Sequence, residues 1–133
     1  MLLLQLELAG WLLLGLALVH VIFPRYFDWR NELRPLSLIN RQMMQVHTFF
    51  IALTVGLMGV LCLIATEELV ATPLGRLICL GLGIFWLVRL VVQLLWYSPA
   101  LWRGKPFETV VHVFFIGLWS WLGGLFCFVY FAN

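Results

Sequence analysis

The stretch that decides the fold is residues 74–97, which read LGRLICLGLGIFWLVRLVVQLLWY. Its only charged side chains are Arg76, near its start, and Arg89, in its second half. At 1.5 Å per residue an α-helix of this length is about 36 Å long, enough to cross the ~30 Å hydrocarbon core of a bilayer. An apolar segment of this length with so few charges predicts a transmembrane helix.

Three further segments of the chain have the same character, at residues 2–23, 38–66 and 107–131. Inside lipid a lone segment satisfies its backbone hydrogen bonds only as a helix. Prolines, which interrupt helices, lie in or next to the connecting segments, at Pro24, Pro35, Pro73, Pro99 and Pro106. We therefore predict an all-α integral membrane protein, with residues 1–133 forming one antiparallel up-down four-helix transmembrane bundle with short loops.

The composition excludes an ordinary soluble domain. Apolar residues make up 64% of the chain and charged residues 11%, against about half and about a quarter in globular proteins. The formal net charge of +2 is too small to indicate a nucleic-acid partner. The lipid bilayer is therefore the principal predicted partner.

Basic residues are concentrated on one side of the predicted membrane, and in short loops such residues favour the cytoplasmic side. The two loops on that side and the adjoining start of the second span carry Arg25, Arg30, Arg34, Arg41, Arg103 and Lys105. The opposite side has Arg76, close to Glu67 and Glu68. We predict that the basic loops are cytoplasmic, that both termini lie outside, and that the protein belongs to a bacterial inner membrane.

Small residues recur on the third and fourth spans, where they favour close helix packing in lipid. They are Gly75, Cys79 and Gly83 on the third span, and Gly117, Ser120, Gly123, Gly124 and Cys127 on the fourth. Such faces suit packing within the chain, in a homo-oligomer, or against a larger membrane complex. We interpret Cys62, Cys79 and Cys127 as small packing residues; a disulfide or metal site is the alternative.

Every predicted span carries a polar side chain near its cytoplasmic end. Ionisable groups inside a span are costly and usually face the interior of a bundle. In an up-down arrangement these groups fall at similar depth, which predicts a pocket in the inner leaflet. The residues are His20, His47, Arg89, Gln93 and His112.

Helical spacing adds detail to this pocket. Glu108 and His112 are four residues apart, so we expect them to share a face and to hydrogen-bond. The third span carries a polar and aromatic stripe of Trp86, Arg89, Gln93 and Trp96.

Imidazole is a common ligand of transition metals, so we predict His20, His47 and His112 as ligands of a metal ion or haem iron. A proton relay that needs no metal is the alternative. For Arg89 the candidate partners are Glu108, an anionic head group and a haem propionate. No motif that defines a metal site or an enzyme is present, so no reaction is assigned.

Three functions fit these features. The first is a membrane protein whose pocket holds a metal ion or haem, with a redox or electron-transfer role. The second is a non-catalytic accessory subunit of a larger membrane complex, and the third is a small oligomeric carrier or channel.

Overall fold

The structure is a computed structural model that describes residues 1–132, and within them it contains helices and turns and no strand. Four long helices, α1, α3, α5 and α6, are joined by two short ones and a 3₁₀ turn. Their bounds are α1 Leu2–Tyr26, α2 Trp29–Glu32, α3 Leu38–Ile64, α4 Thr66–Ala71, α5 Pro73–Leu95, the 3₁₀ turn Pro99–Leu101, and α6 Pro106–Phe131. The four long helices are long and apolar enough to cross a membrane.

The predicted all-α class is therefore confirmed, with small changes at the helix ends. The first helix runs through Pro24 and ends at Tyr26, three residues beyond the predicted span 2–23. A proline removes only one backbone N–H, and the next turn still closes through the bond from Phe27 N–H to Phe23 O at 2.9 Å. The third helix ends at Ile64, and Thr66 starts the short helix α4 instead of extending the span.

Side-chain caps fix where the long helices begin. The Ser37 hydroxyl accepts a hydrogen bond from Asn40 N–H at 3.4 Å and caps α3. Thr72 accepts from Gly75 N–H at 2.9 Å and caps α5 in the same way. Pro73 and Pro106 occupy first-turn positions, where a missing N–H costs nothing.

The chain divides into two compact units, one covering residues 3–66 and one beginning at Glu67. In the first unit α1 and α3 run antiparallel and touch at glycines. A Cβ added to Gly59 would lie 2.8 Å from Gly10 O, and one added to Gly56 would lie 3.5 Å from Ala17 Cβ. The backbones of α1 and α3 come this close because Gly56 and Gly59 have no side chains.

In the second unit α5 and α6 run antiparallel and pack through a glycine and cysteine seam. A Cβ on Gly83 would lie 2.5 Å from Cys127 Sγ, and one on Gly123 would lie 2.6 Å from Leu87 Cδ2. Gly117 and Gly124 have nothing within 4 Å of a Cβ, so this other small face of α6 is open. Cys79 and Cys127 are not joined in a disulfide and act as small packing residues.

The segment between α5 and α6 is held against the start of α6. The Thr109 hydroxyl donates to Trp102 O at 2.6 Å. Gly104 has a φ of +75°, which glycine adopts at no steric cost. These features bring the loop back over the first turns of α6.

Candidate functional site

The polar centre of the second unit is the Gln93 amide, which joins α5 to α6. Gln93 is 8% exposed. Its Nε2 lies 2.8 Å from Nδ1 of His112, and its Oε1 accepts a hydrogen bond from Trp119 Nε1–H at 3.4 Å. We call Arg89, Gln93, Tyr97, Trp102, His112 and Trp119 the Arg89 cluster.

This chain of hydrogen bonds determines the tautomer of His112. An indole N–H only donates, so the atom of Gln93 facing Trp119 is the carbonyl oxygen. The amide nitrogen then faces His112 and donates to Nδ1, which has to be unprotonated to accept. With the amide in this orientation, the ring proton of His112 is on Nε2.

Aromatic rings stack on Trp119, the indole that donates to the Gln93 amide. The rings of Trp86 and Trp119 are 5.0 Å apart with an interplanar angle of 11°, and Phe115 stacks on Trp119 at 5.2 Å. Trp86 is 2% exposed. Within the described part of the chain, its Nε1 is the one buried side-chain nitrogen or oxygen that lacks a hydrogen-bond partner.

The guanidinium of Arg89 contacts ring faces. Its Cζ lies 5.2 Å from the Trp119 ring centre and 5.7 Å from the Tyr97 ring centre. Neither ring supplies a hydrogen-bond acceptor of ordinary strength, and residues 1–132 give Arg89 no other hydrogen-bond or ion-pair partner. Cation–π contacts stabilise the positive charge but leave all five N–H donors unused.

The imidazole of His112 is held from a second direction by the loop. Trp102 stacks on it at 4.8 Å with an interplanar angle of 12°. The bond from Thr109 to the Trp102 carbonyl fixes the residue that provides this stack. His112 is thus fixed in both plane and tautomer.

Three of the predicted site residues lie in the Arg89 cluster, and Glu108 lies outside it. Arg89, Gln93 and His112 lie together, as their helical spacing and depth predicted. Glu108 is exposed and neither bonds to His112 nor pairs with Arg89, all three being described residues. It lies in the first turn of α6, where a carboxylate interacts well with the helix dipole and stays hydrated.

The stripe predicted on the third span also loses one member. Trp96 is 82% exposed and lies just beyond the last residue of α5. Sequence reasoning missed Trp119, although it lies seven residues after His112, which is two turns along the same helix face. The sequence did not reveal the role of Trp119, because a tryptophan in an apolar span is usually an ordinary packing residue.

His20 and His47 belong to the first unit. Nδ1 of His20 donates to Leu16 O in its own helix at 2.8 Å, and the ring lies 4.8 Å from that of Phe23. His47 is exposed on α3. Among the described residues, no group of three or more His, Cys, Asp and Glu side chains is arranged to hold a metal ion.

The hydrogen bonding of His112 also differs from that of a usual metal ligand. A ligating histidine normally donates its second ring N–H to a carbonyl or carboxylate, which frees the other nitrogen for the metal. In His112 the second nitrogen accepts instead, so Nε2 holds the proton and has no lone pair for a metal. Comparison with protein families, with curated proteins and with solved structures finds no match to this chain, so the Arg89 cluster itself provides the indication of function.

Proposed function

We propose that this chain is an integral membrane protein that crosses a bacterial inner membrane four times, with both termini outside, and that the Arg89 cluster binds an anionic group. Four apolar helices and the one-sided distribution of basic residues support the membrane part of the proposal. The ligand part depends on one observation. The Arg89 cation lies against two aromatic rings and has no acceptor and no counter-charge from residues 1–132.

In a membrane, the position of the Arg89 guanidinium decides which anions it can meet. A charged side chain within a span has to pair or reach the interface. Arg89 lies six residues before the end of α5, about 9 Å along the axis, yet its guanidinium contacts Tyr97 beyond that end. The side chain therefore extends towards the head-group region, as long basic side chains do.

Helix length supports a site close to the head groups. The 23 residues of α5 and the 26 of α6 are about 35 and 39 Å long, longer than a ~30 Å hydrocarbon core. Their ends thus extend a few ångströms into the head-group layer. The Arg89 guanidinium lies at the boundary where lipid phosphates and the acid groups of amphiphiles are found.

A direct test is native mass spectrometry of the full chain released from nanodiscs. The nanodiscs contain dioleoyl phosphatidylcholine mixed either with dioleoyl phosphatidylglycerol or with oleate. We expect the protein to retain one anionic amphiphile in preference to the zwitterionic lipid, and Arg89→Gln to reduce this retention about tenfold or more, because a charge-assisted hydrogen bond contributes about 1.5–3 kcal/mol.

Arg103→Gln is the matched control, because it removes the same charge from an exposed loop position on the same side of the second unit. Its retention should equal that of the unsubstituted protein. Equal loss in both variants would reveal general charge attraction, and no preference for either anion would refute the proposed site.

The earlier proposal of a metal ion or haem at His20, His47 and His112 has less support. No metal-binding group occurs among the described residues, and the Nε2 proton of His112 opposes ligation. A visible absorbance spectrum and elemental analysis of the same purified sample decide between the two proposals. Stoichiometric metal that is lost in both His47→Ala and His112→Ala would favour the metal site.

A further inference from the structure

We infer that the anion bound by the Arg89 cluster is a phosphate ester, held by the cation of Arg89 and by the Nε2–H of His112. This inference rests on the proposed anion site and adds the chemical class of its ligand. Two unused donors of different character, on two different helices, carry the inference.

Both donors are open to the surroundings. Among non-exposed side chains of residues 1–132, Trp86 Nε1 alone is buried without a hydrogen-bond partner. Nε2 of His112 and the Arg89 nitrogens also lack protein partners, and both side chains are half-buried. An outside group therefore reaches these donors, whereas it does not reach Trp86 Nε1.

The two donors are also linked through the same side chains of the helix pair. Arg89 belongs to α5, and His112 belongs to the antiparallel α6. Gln93 bonds to His112 and to Trp119, and Trp119 lies under the Arg89 guanidinium. A ligand over this end of the two helices meets a donor from each side.

The His112 tautomer determines what the second donor recognises. Because Gln93 donates to Nδ1, the imidazole presents an N–H outward and not a lone pair. The two open donors of the cluster, the Arg89 guanidinium and the His112 Nε2–H, therefore bind ligands that supply hydrogen-bond acceptor atoms. A ligand that itself donates hydrogen bonds has nothing to bind there except the Tyr97 hydroxyl.

Geometry then separates phosphate from carboxylate. A carboxylate has two coplanar oxygens, which one guanidinium satisfies in a bidentate pair. A phosphate ester has further oxygens outside that plane, and these need another donor from another direction. His112 on α6 provides that donor beside Arg89 on α5.

This chemistry has two sources, a phospholipid head group or a soluble phosphate ester. The experiment uses the full chain in nanodiscs and compares three probes by native mass spectrometry. They are dioleoyl phosphatidylglycerol, oleate, and glycerol 3-phosphate added to phosphatidylcholine nanodiscs. We expect a phosphate probe to be retained about tenfold more strongly than oleate, the effect of one charge-assisted hydrogen bond.

His112→Phe tests the residue, because phenylalanine keeps a flat ring against Trp102 but has no N–H. It should bring phosphate retention down to the oleate level, and oleate retention should not change. His47→Phe, at an exposed position of α3, is the matched control and should retain the preference. Folding is checked by the helical circular dichroism of each variant.

The outcomes separate the two proposals. Retention of phosphatidylglycerol alone supports a lipid ligand, and retention of glycerol 3-phosphate supports a soluble one; both support the inference. Equal retention of oleate and both phosphates overturns the inference but leaves the anion site standing. Retention of no anion overturns both.

Discussion

At the scale of single residues, Gln93 connects the two long helices of the second unit. One amide satisfies an imidazole on one side and an indole on the other, at 2.8 and 3.4 Å. Polar groups in an apolar interior are stable only when they are paired, because an unpaired one retains its full desolvation cost. Removal of this amide therefore leaves two side chains, His112 and Trp119, without their partner.

We expect Gln93→Leu to lower the free energy of unfolding by about 1–2 kcal/mol, because Trp119 Nε1–H and His112 Nδ1 both lose their partner. Thermal unfolding in detergent measures the loss. The ¹⁵N spectrum of labelled histidine should show a single Nε2–H form of His112 before the substitution and a mixture of tautomers after it. Gln45→Leu, on the exposed face of α3, serves as the control and should change neither quantity.

The candidate site was predictable in part at this scale. Arg89, Gln93 and His112 were identified because ionisable and amide groups are rare and costly inside apolar helices. The Glu108 pair was wrong, since four-residue spacing shows that two side chains share a face but not whether water competes for one of them. The Trp119 contribution was invisible, because the sequence does not show which end of an indole will meet an amide.

At the scale of elements, the pairing of α5 with α6 depends on the absence of side chains at the crossing. Gly83 lies against Cys127. A Cβ built on Gly83 would lie 3.0 Å from the backbone nitrogen of Cys127 and 2.5 Å from its Sγ. Helices in lipid associate through such close packing and through hydrogen bonds between helices. A side-chain atom added at Gly83 would collide with the backbone of Cys127, so the two helix backbones would have to shift.

Gly83→Ala should therefore destabilise the second unit by about 1–3 kcal/mol through overpacking. Gly81→Ala is its counterpart on the same helix, where a Cβ has nothing within 4 Å. That substitution should instead stabilise the helix by about 0.5–1 kcal/mol, because alanine loses less backbone entropy than glycine. Unfolding in detergent measures both, and equal effects of the two substitutions would contradict the described crossing.

The seam itself was partly foreseen from sequence. Small residues at four-residue spacing predicted close faces, and Gly83, Gly123 and Cys127 form one. The same reasoning gave equal weight to Gly117 and Gly124, which face open space. The spacing of small residues identifies the helix faces that permit close contact. The packing of the large neighbouring side chains determines which of these faces makes the contact.

At the scale of the whole molecule, the helical architecture followed from one property of the bilayer. Lipid offers the backbone no hydrogen bonds, so long apolar segments have to be helices, and all four predicted spans are helices. Short-range features were harder to predict, because the helices α2 and α4 depend on local turns and not on hydropathy. The side of the membrane on which each loop lies stays a prediction from the distribution of Lys and Arg among the loops.

Reporter fusions test that orientation. Alkaline phosphatase joined to the C-terminus should be active, because the enzyme folds only on the oxidising outer side, and green fluorescent protein at the same place should be dark. The same reporters joined after Gly104 should give the reverse result, because the basic residues within 25–34 and 103–105 favour the inner side of the membrane. A fluorescent C-terminal fusion would invert the assignment.

The near-parallel pair of Trp86 and Trp119 has an optical consequence. Indole rings 5.0 Å apart share their excited states, so the near-ultraviolet circular dichroism of the folded chain should contain a coupled tryptophan band. Each helix contributes one of the two chromophores, and the coupling disappears when α5 and α6 separate. The coupled tryptophan band therefore reports whether α5 and α6 are paired. It needs no added label and can be followed in any membrane mimetic.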